Sequence, residues 1–148
     1  MPIAELSVLL VAYLLGSVST AVIVCKLMGY DDPRNYGSNN PGATNVFRIG
    51  GGKAGVLTFI GDLIKGIPAV LLANYLEFSA VWIGAVVVVA FLGHCLPIFF
   101  SFAGGKGVAT AFGAITTMNW QIGLVLLIVW GLVFFIFRFS SLSGICSG

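Results

Sequence analysis

Three stretches of this chain, residues 3–25, 55–76 and 80–102, are almost purely apolar. Each is longer than the roughly 20 residues an α-helix needs to cross a hydrocarbon core about 30 Å thick. The first carries only Glu5 as a charge, the second Asp62 and Lys65, and the third the single histidine, His94. Within lipid every backbone N–H and C=O must be satisfied internally, so only helices and closed barrels can span it. None of these runs alternates with the period of two that a barrel strand requires, so they predict helices.

Composition bears this out. Charged residues make up 8% of the chain and hydrophobic residues 59%, with a mean hydropathy of +1.08, against roughly 25% charged in soluble domains. So few charges cannot clothe a surface in water. The net charge of +2 is too small for nucleic-acid binding, which needs a basic surface. Cys25, Cys95 and Cys146 lie in or beside apolar runs without CxxC spacing, and they read as small packing residues. Met1 to Glu5 lacks the basic segment that opens a secretory signal.

A fourth apolar stretch, 108–137, would be about 45 Å long as one straight helix. It is interrupted by Thr116-Thr117-Met118-Asn119-Trp120-Gln121. Two readings follow: a hairpin of two short helices turning near Asn119, or one long tilted helix. Basic residues collect between the first two spans (Lys26, Arg34, Arg48, Lys53) and after the third (Lys106), while the turn at Glu77 has none. The positive-inside rule then puts the N-terminus outside and both basic loops in the cytoplasm. A hairpin returns Arg138 to the cytoplasm as well, which favours it. The expected fold is an all-α polytopic transmembrane bundle of about five membrane helices, the last two paired as a hairpin, in one domain.

The first basic loop contains Gly37-Ser38-Asn39-Asn40-Pro41-Gly42-Ala43-Thr44-Asn45 and then Arg48. Asn40-Pro41-Gly42 suits a type II turn, with Gly42 at positive φ. A short helix over 43–49 would place Thr44 and Arg48 on one face. Hydroxyl, amide and guanidinium groups gathered there suit a phosphate; a solvated loop of turn residues accounts for the same composition. The second loop, Gly104-Gly105-Lys106-Gly107-Val108-Ala109-Thr110, runs into a helix start, where flexible backbone N–H groups and the helix dipole favour anions. Equally, it could be a tight membrane turn with an anchoring lysine. Gly50 to Gly55 matches GxGxxG, but no strand precedes it, so it reads as a flexible lead-in.

Asp62 and Lys65, three residues apart, predict an ion pair on one helix face that supports the loops. His94 reads as a hydrogen-bonded supporting residue. With no second histidine or cysteine at ligand spacing, no metal is expected. Ser140, Ser141 and Ser143 follow Arg138, and of these Ser141 is a candidate for substrate binding.

These loops, together with Asp62, Lys65-Gly66, Gly93-His94 and Pro97, resemble the bacterial acyl-phosphate-dependent glycerol-3-phosphate acyltransferases along nearly the whole chain. The resemblance implies transfer of an acyl group from acyl phosphate to the 1-hydroxyl of glycerol 3-phosphate in the cytoplasmic membrane. The products would be lysophosphatidic acid and phosphate, in phospholipid synthesis, without a cofactor or metal. It implies catalytic roles for Ser38 and Arg48. It implies glycerol 3-phosphate binding by Gly104, Gly105, Lys106 and Gly107; Thr44, Asn45, Thr110 and Ser141 are further substrate-binding candidates. Asn39 stands where the family often has glycine, and Gly144 where some members have serine. The family's third motif, with an important His and Asn, would lie beyond residue 148, so a C-terminally shortened chain is expected. A small transporter and an inactive membrane scaffold are the competing readings; clustering of the polar groups toward one membrane face disfavours the first.

Overall fold

A computed structural model describes residues 2–137, and Ser141 and its neighbours lie outside them. The described residues form seven α-helices and no strand: α1 (Pro2–Gly16), α2 (Thr20–Leu27), α3 (Ala43–Lys65), α4 (Ile67–Tyr75), α5 (Ala80–Cys95), α6 (Val108–Met118) and α7 (Trp120–Phe137). Three helical stretches are long and apolar enough to cross a membrane: Ile3–Leu27, Ala43–Tyr75 and Ala80–Phe100. The all-helical membrane architecture is as the apolar runs predict.

The bundle is built with its bulky residues outward. Leu6, Leu10, Val81, Val88, Leu124 and Leu132 are exposed, whereas the core is made of small side chains such as Ala12, Ala69, Ala73, Ala90 and Ala114. Between lipid-facing helices there is no hydrophobic drive to associate, so close backbone approach through small residues supplies the packing. α1 and α5 meet in this way at Gly16 and Gly93, where an added methyl would strike the Ala90 and Tyr13 carbonyls.

Two of the long stretches are interrupted. α1 and α2 part at residues 17–19, and the freed Val18 carbonyl accepts a 2.6 Å hydrogen bond from Lys65 Nζ. α3 bends at Gly51, which adopts φ 77°, ψ −173°, a conformation open to glycine. Here the structure corrects the sequence reading. The helix expected over 43–49 does not give way to a flexible lead-in; helical backbone resumes after the bend and runs on to Lys65.

The 108–137 stretch is a hairpin. Asn119 is extended (φ −153°, ψ 108°), and its Oδ1 accepts the backbone N–H groups of Gln121 (3.0 Å) and Ile122 (3.2 Å), capping α7. A Cβ placed on Gly123 would lie 2.9 Å from Thr116 Cα, whereas seven residues of continuous helix span about 10.5 Å. α6, with 11 residues, reaches only about 16 Å, roughly half a hydrocarbon core.

Candidate active site

The site forms where the two basic loops meet. In the first, Asn45 is 1% exposed, and its amide organises the loop. Nδ2 donates to the Pro33 and Tyr36 carbonyls, both at 2.9 Å, and Oδ1 accepts the Ser38 N–H at 3.0 Å. This holds Ser38 at the loop tip. Both amide donors of Asn45 are taken up within the loop, beside the cavity that this residue borders. The expected type II turn is absent. Gly42 is extended (φ −131°, ψ 163°) because it caps α3, and its N–H bonds to the Asn40 carbonyl at 2.8 Å. The positive φ values fall at Gly37 (65°) and Asn39 (55°). Asparagine tolerates the left-handed region better than most residues, which suits it to this position.

Arg34 fastens this loop to the next. Its Nη2 and Nε contact the Asp32 carboxylate at 2.6 Å and 3.0 Å, and its Nη1 donates to the Phe100 carbonyl at 3.0 Å. The guanidinium also lies 5.8 Å from the Phe100 ring centroid. Hydrogen bonding to Arg34 holds the Asp32 carboxyl below its ordinary value of 3.8. In the sequence this arginine carried only a topological signal, since its carbonyl partner lies 66 residues away.

In the glycine-rich loop the Gly105 N–H donates to the His94 carbonyl at 3.2 Å. A Cβ on Gly104 would strike the His94 and Cys95 carbonyls, and one on Gly105 would meet the His94 ring. These two glycines permit close packing on His94. Lys106 and Gly107 face the cavity. Gly107, at φ 72°, turns the chain into α6.

Beneath the loops lies a buried polar cluster. Asp62, Lys65, His94 and Thr110 are 2%, 8%, 7% and 0% exposed. Lys65 Nζ is 2.9 Å from Asp62 Oδ1. This is a close ion contact, and the same ammonium donates to the Val18 carbonyl. His94 Nδ1 is 3.2 Å from Thr110 Oγ1 and 3.7 Å from Asp62 Oδ1. The predicted Asp62–Lys65 pair therefore exists and is joined to His94. Thr110, a candidate substrate ligand, is enclosed behind His94.

Above this floor opens a cavity of about 280 Å³. Ser38, Thr44, Asn45, Arg48, Asp62, His94, Lys106 and Gly107 all border it. So do Ala43 and Val108, the first residues of α3 and α6. Two helix N-termini and two cationic side chains thus converge, an arrangement that favours anions. Phe59 and Trp130 supply an apolar wall. Sequence reasoning passed over both. Trp130 was accessible in principle, because a hairpin turning at Asn119 brings residue 130 opposite residue 108. Together these features can hold an anionic head against the polar side and a hydrocarbon chain against the aromatic side.

Known proteins match both the sequence and the fold. The glycerol-3-phosphate acyltransferase family model matches residues 6–148. Glycerol-3-phosphate acyltransferase from Ruthia magnifica subsp. Calyptogena magnifica is 53% identical over 94% of this chain and 71% of its own length. That of Actinobacillus succinogenes is 51% identical over 99% of this chain and 74% of its own. The fold superposes on crystal structures of PlsY (YgiH), an integral membrane glycerol 3-phosphate acyltransferase. Its glycerol 3-phosphate form gives a TM-score of 0.89 at 41% identity, over 97% of this chain and 72% of that one. Its lysophosphatidic acid form gives 0.87 at 39% identity.

Proposed function

Because this chain belongs to the glycerol-3-phosphate acyltransferase family, we propose that it transfers an acyl group from acyl phosphate to the 1-hydroxyl of sn-glycerol 3-phosphate. The hydroxyl oxygen bonds to the acyl carbon, the bond from that carbon to the phosphate oxygen breaks, and the hydroxyl proton leaves with the departing phosphate. Lysophosphatidic acid and inorganic phosphate result. The observation that carries this reading is the cavity itself, polar and cationic at Ser38, Arg48 and Lys106 and aromatic at Phe59 and Trp130. Both substrates bring phosphate, and one brings a hydrocarbon tail.

Arg48 offers a forked pair of donors to the acyl phosphate, where it can stabilise charge on the departing group. Ser38, steadied by Asn45, donates at the reacting carbonyl. Lys106 and the start of α6 hold the glycerol phosphate, and Thr44 adds a hydroxyl beside Arg48. With no base required of the protein, catalysis is chiefly alignment of hydroxyl and carbonyl plus charge stabilisation. The cavity opens on the cytoplasmic side of a bacterial inner membrane, the N-terminus lies outside, and the chain forms one membrane domain.

The test is reconstitution in lipid with labelled glycerol 3-phosphate and either palmitoyl phosphate or palmitoyl-CoA. Labelled lysophosphatidic acid from palmitoyl phosphate alone supports the proposal. Product from palmitoyl-CoA alone overturns the donor assignment, and absence of product from a folded protein with either donor overturns the activity.

A further inference from the structure

The buried cluster beneath the cavity contains more polar groups than an ion pair needs, and it draws them from four segments. Lys65 and Asp62 lie on α3, Val18 at the α1–α2 break, His94 on α5 and Thr110 on α6. His94 packs directly against the glycines of the loop. Its carbonyl accepts the Gly105 N–H, and the Nε2 edge of its ring abuts Gly105, whose lack of a side chain leaves room for it. The next residue is Lys106, at the cavity.

We infer that His94 is a positioning residue, a strut set by Asp62 and Thr110 that fixes the glycine-rich loop and so aims Lys106 at the anionic substrate; its kinetic consequence rests on the acyltransferase reading above. The chemistry selects one form of the ring. A carboxylate oxygen 3.7 Å from Nδ1 repels a nitrogen lone pair and attracts an N–H, so Nδ1 carries the proton and Thr110 Oγ1, at 3.2 Å, accepts it. Fixing one ring nitrogen by a neighbouring acceptor in this way sets both tautomer and orientation. Lys65 neutralises Asp62, so the strut adds no net negative charge beneath a phosphate site. Thr110→Val keeps shape and removes the acceptor, while Thr110→Ser restores it.

His94 is the chain's single histidine, so selective nitrogen-15 histidine labelling gives one imidazole spectrum in lipid. The expected spectrum has Nδ1 protonated and Nε2 bare in the wild type and in T110S, with the proton moved to or shared with Nε2 in T110V. In parallel, KM for glycerol 3-phosphate rises about tenfold in T110V, the scale of one lost buried hydrogen bond. The kcat at saturating acceptor stays within about twofold, since the chemical step is untouched, and T110S recovers the wild-type KM. A wild-type ring protonated on Nε2 overturns the strut, as does a T110V protein with unchanged spectrum and KM. If T110V does not fold, Asp62→Asn is read in its place, with the same spectral outcome expected. A wild type that makes no product, yet shows the Nδ1-protonated ring displaced in T110V, sinks the acyltransferase reading and leaves the strut standing.

Discussion

Replacing Lys65 by methionine removes the charge that a buried carboxylate and a half-buried carbonyl depend on. Lys65 is 8% exposed and Asp62 2%, so the carboxylate left behind is largely shielded from bulk water. Breaking one side of a buried ion pair costs about 3–5 kcal/mol. The same change strips the Val18 carbonyl of its 2.6 Å donor at a break in the membrane helix, which adds about 1–3 kcal/mol for an unsatisfied acceptor. The sum, about 4–8 kcal/mol, is comparable to the whole stability of many domains. The double variant D62N/K65M removes the uncompensated carboxylate and leaves only the Val18 term, so about 1–3 kcal/mol should remain. Reversible unfolding in mixed micelles, titrated with denaturing detergent, measures all three proteins. A K65M protein within about 1 kcal/mol of wild type would refute the reasoning, because it falls below the least cost of either term. A double variant no more stable than K65M would refute the role assigned to Asp62.

Other consequences follow from single contacts. Arg48→Lys keeps the charge but loses the fork, and kcat should fall at least about tenfold in a phosphate-release assay, as expected for a lost bidentate contact. Asn45→Asp retains the acceptor for the Ser38 N–H but loses both donors to Pro33 and Tyr36; a loss of about 2–6 kcal/mol, the cost of two unsatisfied carbonyls, is expected in the same unfolding titration. Gly93→Val drives a side chain into the Tyr13 carbonyl, and overpacking of about 1–3 kcal/mol or more should appear as a lower thermal midpoint. Asp32 titrates below 3.8 in the fold because Arg34 bonds to it. Its stabilising contribution is therefore present above that value and is lost as pH falls through the lower folded one. Hydrogen exchange in the first loop should accelerate on acidification below pH 3.8 and lose this dependence in Asp32→Asn.

Much of the architecture was legible because lipid leaves few choices. Length and apolarity alone identify the crossing helices, and Asn119 with the placement of basic residues indicates the hairpin. The break at residues 17–19 was not legible, since it depends on a lysine 47 residues away donating to Val18. Local signals misled where tertiary contacts overrode them. Pro41-Gly42 has the composition of a type II turn, yet the chain must be extended at Gly42 to enter α3, and Asn45 sets the loop from below. Gly104 and Gly105 illustrate a second limit. A glycine required to expose backbone N–H groups and one required because a methyl would strike a neighbour look the same in sequence. Thr110 shares the glycine loop's motif but faces inward, because position 110 of α6 lies against the α3–α4 junction at Gly66. What sequence did convey at the site was the identity of the groups bordering the cavity, Ser38, Thr44, Arg48 and Lys106. It did not convey the layer that supports them.

The central claim is that this cavity joins acyl phosphate to glycerol 3-phosphate, and acceptor-dependent phosphate release tests it most directly. Wild type, Arg48→Ala and Lys106→Ala, each shown to be folded, would be compared in lipid with palmitoyl phosphate, with and without glycerol 3-phosphate. Phosphate release by the wild type that requires glycerol 3-phosphate is predicted, with kcat collapsing in Arg48→Ala and KM for the acceptor rising in Lys106→Ala. Release that ignores glycerol 3-phosphate, or that survives both substitutions unchanged, would contradict the account.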